Sequence, residues 1–364
     1  MTVDVAAPFQ MERYGVIMEP DPENPREAWG VLNPGGARGP DGDYYLFPRI
    51  VAEGNFSRIG RARVIYDNDG RPTGVERLGY ALEPQEPYEV TRAGGGVEDP
   101  RVTYLEPLKI YVMTYTAYVP PFHPRIALAV SRDLVEWTRL GPLRYAVEDG
   151  IDLNESGNKD GVIFPDLVRD PRGRPAMAIL HRPTYAVHHR VHGGGEITVP
   201  PAAAEHLENI WISYAPLEEA YADIGLLTHV SGHRVVMEPK ADWESVKLGA
   251  GAPPLRLPYG WLLIYHGVTG YQTATEKHVR YSAGAAVLDL ADPTVVLYRS
   301  PRPILEPLTP RETQGIVPSV VFPTATDLRE GGRLDVYYGA ADSITSAAKL
   351  TIPDELPGDV IESA

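Results

Sequence analysis

Pro258-Tyr-Gly-Trp-Leu-Leu-Ile-Tyr-His266 decides the fold. A Pro/Gly turn opens the stretch, a short apolar and aromatic run follows, and a polar aromatic pair closes it. The run is too short for a helix and is rich in aromatic and branched side chains, so it reads as a strand. The same plan recurs at Pro107-Leu-Lys-Ile-Tyr-Val-Met-Thr-Tyr115, Arg172-Gly-Arg-Pro-Ala-Met-Ala-Ile-Leu-His181 and Gly331-Gly-Arg-Leu-Asp-Val-Tyr-Tyr338. The stretches end at 115, 181, 266 and 338, so they are spaced by 66, 85 and 72 residues. A first unit runs from Tyr44-Tyr-Leu-Phe-Pro-Arg49 to Asp69-Gly70, and Ala127–Trp137 and Ile212–Glu219 take similar places within their own units. Five all-β units of this size predict an all-β fold, a five-bladed β-propeller with its site in a central cleft. A two-sheet sandwich uses similar strands, but the repeat favours the propeller.

On this reading the propeller spans residues 44–343, between an N-terminal segment (1–43) and a C-terminal tail (344–364). Residues 183–206, punctuated by Gly193–Gly195 and Pro200-Pro201, read as a long loop inserted into one unit. Gly (35) and Pro (36) together make about a fifth of the 364 residues, against roughly 12% in average usage, and this turn-rich composition suits many short strands. The 21 Tyr against 6 Phe suit half-wet surfaces where a ring packs and a hydroxyl finds a partner.

The net charge of −15 argues against nucleic acid or an anionic membrane as partner, since both reward a basic face. With no cysteine, disulfides, thiolate nucleophiles and Cys-ligated metal are excluded. MTVDVAAPFQ lacks the basic start and apolar core of a signal peptide, and apolar runs of about five residues fall short of the roughly 20 that span a membrane. The expectation is a soluble, cytoplasmic protein. Phosphate-loop, dinucleotide and nucleophile-elbow motifs are absent.

Polar residues at strand ends carry the chemistry instead. In Gly96-Val-Glu-Asp-Pro-Arg-Val102, strand alternation lets only one of Glu98 and Asp99 face a central cleft, and Pro100 places the acid at a strand start. Read locally, the same residues make a turn acid with Arg101 as its ion partner. Lys159 in Asn158-Lys-Asp-Gly, Arg182 after His181, Lys247 in Lys247-Leu-Gly-Ala-Gly and His266 in Tyr265-His-Gly recur at matching places in an otherwise acidic chain. Each sits beside a buried-looking strand or a Gly-rich turn, where an unpaired cation is costly. Together they read as an anion pocket, because guanidinium and ammonium groups hold phosphate through charged hydrogen bonds. Asp342, after Tyr337-Tyr-Gly-Ala-Ala, and Arg58, in Asn55-Phe-Ser-Arg, are candidates for sugar hydroxyls or, equally, turn caps. His188, His189 and His192, with Glu196 beyond them, have helical metal spacing, but Gly193–Gly195 breaks any helix there, and no metal is expected.

Gly-Val-Glu-Asp-Pro-Arg-Val (96–102), Asn-Lys-Asp-Gly-Val-Ile-Phe-Pro (158–165), Leu-His-Arg-Pro (180–183), Glu-Asn-Ile-Trp-Ile-Ser (208–213), Lys-Leu-Gly-Ala-Gly-Ala-Pro-Pro (247–254), Gly-Trp-Leu-Leu-Ile-Tyr-His-Gly-Val (260–268) and Tyr-Tyr-Gly-Ala-Ala-Asp (337–342) jointly resemble glycoside hydrolase family 130, mostly β-mannoside phosphorylases with some β-mannosidases. The resemblance implies a five-bladed β-propeller. It implies Asp99 as catalytic acid and Lys159, Arg182, Lys247 and His266 as phosphate ligands. Asp342 and Arg58, with Glu98 and Tyr265 beside them, are implied to line the mannosyl site. Some members carry Arg where this chain has Lys159, and the 183–206 loop is longer than in compact members. Hydrolysis needs a second carboxylate to activate water, whereas phosphorolysis needs a cationic pocket. One acid with four basic residues therefore points to an inverting phosphorylase acting on a β-mannoside oligosaccharide with inorganic phosphate as co-substrate and no other cofactor. The alternatives are a β-mannosidase on the same scaffold and a non-catalytic glycan-binding propeller. Family members form homo-oligomers, and the short termini here do not decide that state.

Overall fold

The structure, a computed structural model, describes residues 8–184, 208–272 and 277–358. The 185–207 part of the expected insertion, with His188, His189, His192 and Glu196, lies outside the described residues.

Each of the four quoted repeats forms the second strand of a blade: Ile110–Tyr118, Pro175–Thr184, Gly260–Gln272 and Leu334–Ala340. Blade 1 runs Gly30–Arg38, Tyr44–Ala52, Phe56–Tyr66, Pro72–Leu82, and blade 2 runs Gly95–Leu105, Ile110–Tyr118, Arg125–Ser131, Thr138–Pro142. These two share one continuous ladder through a short parallel pairing, Phe56↔Gly95 and Ser57↔Gly96. Blade 3 runs Gly157–Ile163, Pro175–Thr184, Ile210–Pro216, His229–Met237, and blade 4 runs Lys247–Ala250, Gly260–Gln272, Lys277–Leu288, Val296–Arg299. Blade 5 runs Val321–Leu328, Leu334–Ala340, Ile344–Thr351 and takes its outermost strand, Gln10–Met18, from the N-terminus. The ring is thus a five-bladed β-propeller closed by pairing the two ends of the chain.

The expected boundaries at 43 and 343 need correction, because Gln10–Met18, Gly30–Arg38 and Ile344–Thr351 are blade strands. Gln10 pairs with Thr351 and Met18 with Thr345, contacts that no local pattern announces. Gly30–Arg38 falls in the expected N-terminal segment, and its glycines serve a close approach: a Cβ on Gly35 would lie 3.1 Å from the Pro100 carbonyl oxygen of the neighbouring inner strand.

Blades pack face to face, and each middle strand is buried on both sides, which is why these strands read as unbroken apolar runs. Phe47 and Ile59 of blade 1 meet Val97 and Met113 of blade 2, whose Val112 and Leu128 meet Ile179 and Trp211 of blade 3. Leu180 and Ile212 meet Trp261 and Leu263 of blade 4, whose Leu262 and Val287 meet Leu334 and Val336 of blade 5. Tyr337 and Ala347 return to Tyr44 and Leu46 of blade 1. Each fully buried large side chain contributes roughly 1.5–3 kcal/mol. Among the described residues, no helix is long and apolar enough to cross a membrane.

Candidate active site on the propeller axis

The site follows from a repeated register. In every blade the inner strand meets the second strand at an equivalent pair: Leu32↔Arg49, Glu98↔Thr116, Lys159↔Arg182, Gly249↔His266 and Phe322↔Gly339. Just beyond this pair the ladder slips in blades 1, 2 and 3, at Leu32/Gly35, Glu98/Arg101 and Lys159/Val162. The residues at these slips, Asn33, Asp99 and Asp160, take φ of 45°, 46° and 56°. That left-handed conformation costs a non-glycine residue roughly 1–2 kcal/mol, and such bulges re-aim a side chain that regular alternation would turn away. Here the sequence expectation fails in one respect. Alternation does not hold through the slip, so both Glu98 and Asp99 reach the same arginine, and Asp99 lies mid-strand with Pro100 at the slip, where no ladder donor is required.

That arginine is Arg49. It donates to Glu98 Oε1 at 2.8 Å, to Asp99 Oδ1 at 3.3 Å, to Asn55 Oδ1 at 3.1 Å and to Ser57 Oγ at 2.9 Å. Asn33 Nδ2 donates to Asp99 Oδ1 at 2.9 Å. Burial opposes ionisation of Asp99, but Arg49, Lys159 and Arg101 outweigh it, and its pKa lies below the ordinary carboxylate value. Lys159 Nζ stands 3.4 Å from Glu98 Oε2 and over the Tyr118 ring at 5.6 Å. Glu98 is therefore a buried charge partner of Arg49 and Lys159.

Across the axis, Asp160 anchors the other cations. Arg182 Nε donates to Asp160 Oδ2 at 2.7 Å, and its Nη1 pairs with Glu208. His266 Nε2 lies 3.5 Å from the same Asp160 oxygen, and its ring rests on Phe322 at 4.4 Å. Burial, only partly offset by Asp160, pushes the His266 pKa down to about 3, so the imidazole is neutral at physiological pH. Burial disfavours the Asp160 charge too, but the Arg182 and Arg101 guanidiniums outweigh it and keep the carboxyl ionised. Lys247 Nζ lies over the Tyr281 ring at 5.9 Å. Half-buried Asp342 acts electrostatically on both Arg49 and Tyr281, which places it between the two halves.

Two expected site residues lie elsewhere. Arg58 pairs in register with Ile50, on the face of its sheet opposite to Arg49. It contacts Glu83 at 3.6 Å, the Arg26 carbonyl and the Tyr80 ring, away from Asp99. Tyr265 precedes His266 on one strand and must point the other way. It is fully buried against Trp243, with its hydroxyl accepting from Arg299 Nε at 3.2 Å. Tyr115, Tyr265 and Tyr338 are equivalents: each belongs to a buried Glu–Arg clamp, formed by Glu89 and Arg139, Glu244 and Arg299, and Glu312 and Arg13. Tyr265 is thus part of the scaffold. Sequence reasoning missed Arg49, Asn33 and Tyr281, and Arg101, read as the ion partner of a turn acid, instead donates to the Asp99 backbone carbonyl. Only Arg49 left a signal, as the lone cation ending the apolar run Tyr44–Pro48. Among the described residues, no group of three or more His, Asp or Glu is placed to hold a metal ion.

The propeller axis thus carries a carboxylate held by asparagine and arginine, facing a buried arginine and imidazole with a half-buried lysine beside them, the build of an enzyme's polar cleft. The chain belongs to glycoside hydrolase family 130: the family model, described as beta-1,4-mannooligosaccharide phosphorylase, matches residues 23–356. It is accordingly an enzyme of the phosphorylase type. It is 29% identical over 352 residues to a 1,2-beta-oligomannan phosphorylase of Thermoanaerobacter sp. (strain X514), covering 93% of this chain and 95% of the relative. It is 30% identical to a beta-1,4-mannooligosaccharide phosphorylase of Ruminococcus albus, covering 77% and 69%. Its fold matches the solved structure of a beta-1,2-mannobiose phosphorylase from Listeria innocua in complex with beta-1,2-mannobiose, with a TM-score of 0.66 at 25% identity over 95% of this chain and 97% of that one.

Proposed function

We propose that the enzyme cleaves a β-mannoside, of the mannobiose, manno-oligosaccharide or mannosyl-glucose type, with inorganic phosphate to give α-mannose 1-phosphate and the shortened sugar. The observation that carries this reading is the cluster of Arg182, Lys247, Lys159 and His266 on the axis beside Asp99. In the reaction a phosphate oxygen forms a bond to the mannosyl C1 from the α face while the β-glycosidic C1–O bond breaks. The proton of Asp99 passes to the departing oxygen, by way of the mannosyl 3-hydroxyl in the family's relay, so the anomeric configuration inverts. Arg182 and Lys247 orient the phosphate dianion. Neutral His266 offers an N–H, a donor that does not have to shed a proton. Asp342 and Glu98 serve the mannosyl side. No metal or organic cofactor enters these steps.

The support is mutual: the relatives' names agree with a phosphorylase, and among the described residues three carboxylates that could activate water for a hydrolase, Glu98, Asp160 and Glu208, are engaged by cations. Incubation with a panel of β-mannobiosides, with and without phosphate, tests the reading. Sugar phosphate formed only with phosphate, and lost in Asp99→Asn by about 10²–10⁴-fold, is the expected result. Free mannose regardless of phosphate would mean a hydrolase.

A further inference from the structure

Arg101 is among the most deeply buried charged side chains of the molecule, 1% exposed, and no step above uses it. Its guanidinium bridges three blades. Nη1 donates to the backbone carbonyl of Asp99 at 2.7 Å, with Pro100 O at 3.4 Å. Nε donates at 2.6 Å to the carbonyl of Gly251 in blade 4, immediately after the strand Lys247–Ala250. The guanidinium carbon lies 5.4 Å from the centroid of the Phe322 ring of blade 5, which also carries His266. Nη2 finds no partner among the described residues.

Neither end of this bridge is free to wander. Gly251 N donates to the Ile264 carbonyl at 3.0 Å, and a Cβ there would lie 2.6 Å from Ile264 O and 2.7 Å from Pro323 O, so its backbone is wedged between blades 4 and 5. Asp99 sits in the left-handed region at φ 46°, a conformation that persists in a non-glycine residue only when its surroundings over-determine it. A charge buried this far and spent on two carbonyls is an expensive way to hold a strand. A planar fork that meets two carbonyls from two chain segments at once is something a lysine cannot copy.

We propose that Arg101 is a positioning residue: it ties the Asp99 carbonyl, and so the aim of the Asp99 carboxyl, to the blade-4 strand that carries Lys247, fixing the acid relative to the phosphate site. The inference rests on Asp99 being the acid of the proposed phosphorolysis. The guanidinium touches neither sugar nor phosphate in this role. Its removal acts on the chemical step and leaves both ligands their own contacts.

The test compares wild type with Arg101→Lys, which keeps the charge, and Phe322→Leu, which removes the ring face while keeping an apolar side chain. Displacing a catalytic group by about 1 Å costs about 10²-fold in rate. Arg101→Lys is therefore expected to lower kcat of phosphorolysis by about that factor, with KM for phosphate and the affinity for α-mannose 1-phosphate by calorimetry within about threefold of wild type. Phe322→Leu is expected to fall between the two. In a crystal structure of Arg101→Lys, the Asp99 carboxyl should no longer accept from Asn33. A kcat within threefold of wild type, a loss that tracks only the unfolded fraction, or phosphate affinity falling in step with kcat would overturn the inference, as would an unmoved Asp99 in the crystal. If wild type shows no phosphorolysis, the functional reading fails, and the Asp99 geometry of the variant still decides this one.

Discussion

Arg49 offers the sharpest test of the axial arrangement, because it is the cation that both Glu98 and Asp99 share. Consider Arg49→Met, which keeps the volume and removes the fork. The Arg49 side chain is 13% exposed and that of Glu98 3%, so the pair is shielded from solvent and salt. Removing one partner of a buried pair costs about 3–5 kcal/mol, since the other charge stays buried. Unfolding entropy near 2.1 cal/mol/K per residue over 364 residues amounts to roughly 0.76 kcal/mol/K, so the midpoint should fall by about 4–7 °C in calorimetry. The effect on activity has its own sign. Burial raises the Asp99 pKa while Arg49 is the leading cation lowering it. Without Arg49 the carboxyl keeps its proton to higher pH, and the basic limb of kcat/KM moves up. Stability responds in the opposite sense. The contribution of the depressed Asp99 pKa is present above the unfolded value near 3.9 and lost as pH falls through the folded one, so the variant should show a smaller loss of stability in that acid range than wild type. Arg49→Lys retains a charge for one carboxylate only and should fall between. A midpoint within 2 °C of wild type together with an unmoved basic limb would refute the shared-cation reading.

His181, His233 and His266 all have pKa values held below the usual imidazole value by burial, His266 at about 3. The unfolded chain takes up these protons from pH 6.5 downward while the folded chain refuses them, so stability should fall between pH 6.5 and 5 with up to about 1.4 kcal/mol per pH unit for each histidine; urea titrations at pH 7 and 5.5 read this, and His233→Phe should flatten the slope. Gly249→Ala places a Cβ 2.3 Å from Asp160 Oδ2 and 2.6 Å from His266 Cε1. Steady-state kinetics should show KM for phosphate raised by tenfold or more with KM for the mannoside little changed, and equal changes in both would contradict the division of the site. Tyr265→Phe, which leaves Arg299 with Glu244 and the Glu238 carbonyl, should cost about 1 kcal/mol of stability and leave kcat within twofold; a large loss of activity would return Tyr265 to the sugar site.

Much of this architecture is legible in the chain because a propeller repeats its physics. The second strand of each blade is buried on both faces, so its apolar run survives in sequence, and the turn ahead of it carries Gly or Pro. The pairs Tyr265-His266 and His181-Arg182 are legible for the same reason, since the last polar residue of such a run must face either the axis or a buried partner. Parity decides which, and it is not written locally. Arg49 and Arg58 look alike in sequence, yet the pairing Arg49↔Ile59 turns one toward the axis while Ile50↔Arg58 turns the other outward. Slips hide more. Asn33 lies at a slip inside Gly30–Arg38, and Glu98-Asp99 break alternation, so neither position announces its direction. Ring closure hides most of all, because Gln10–Met18 finds its ladder partner in Ile344–Thr351, far away in the chain.

The charges on the axis reconcile a depressed pKa with the work of an acid. Among the described residues, Arg49, Arg101, Lys159, Arg182 and Lys247 face Glu98, Asp99, Asp160, Glu208 and Asp342, five cations against five carboxylates, with His266 neutral. In the free protein this balance keeps Asp99 ionised, which is the wrong form for a proton donor. In the proposed reaction a phosphate dianion entering beside Arg182 and Lys247 tips the balance negative, and a proton on one carboxylate would relieve it. Asp160 is gripped by Arg182 at 2.7 Å and Glu98 by Arg49 at 2.8 Å, whereas Asp99 meets its nearest cation only at 3.3 Å and otherwise accepts from neutral Asn33. Of these three carboxylates, Asp99 is the one held least closely by a cation. In the proposed reaction the nucleophile would thus prepare its own acid: the protein holds a carboxylate until phosphate is in place, and only then would Asp99 present a proton to the departing oxygen.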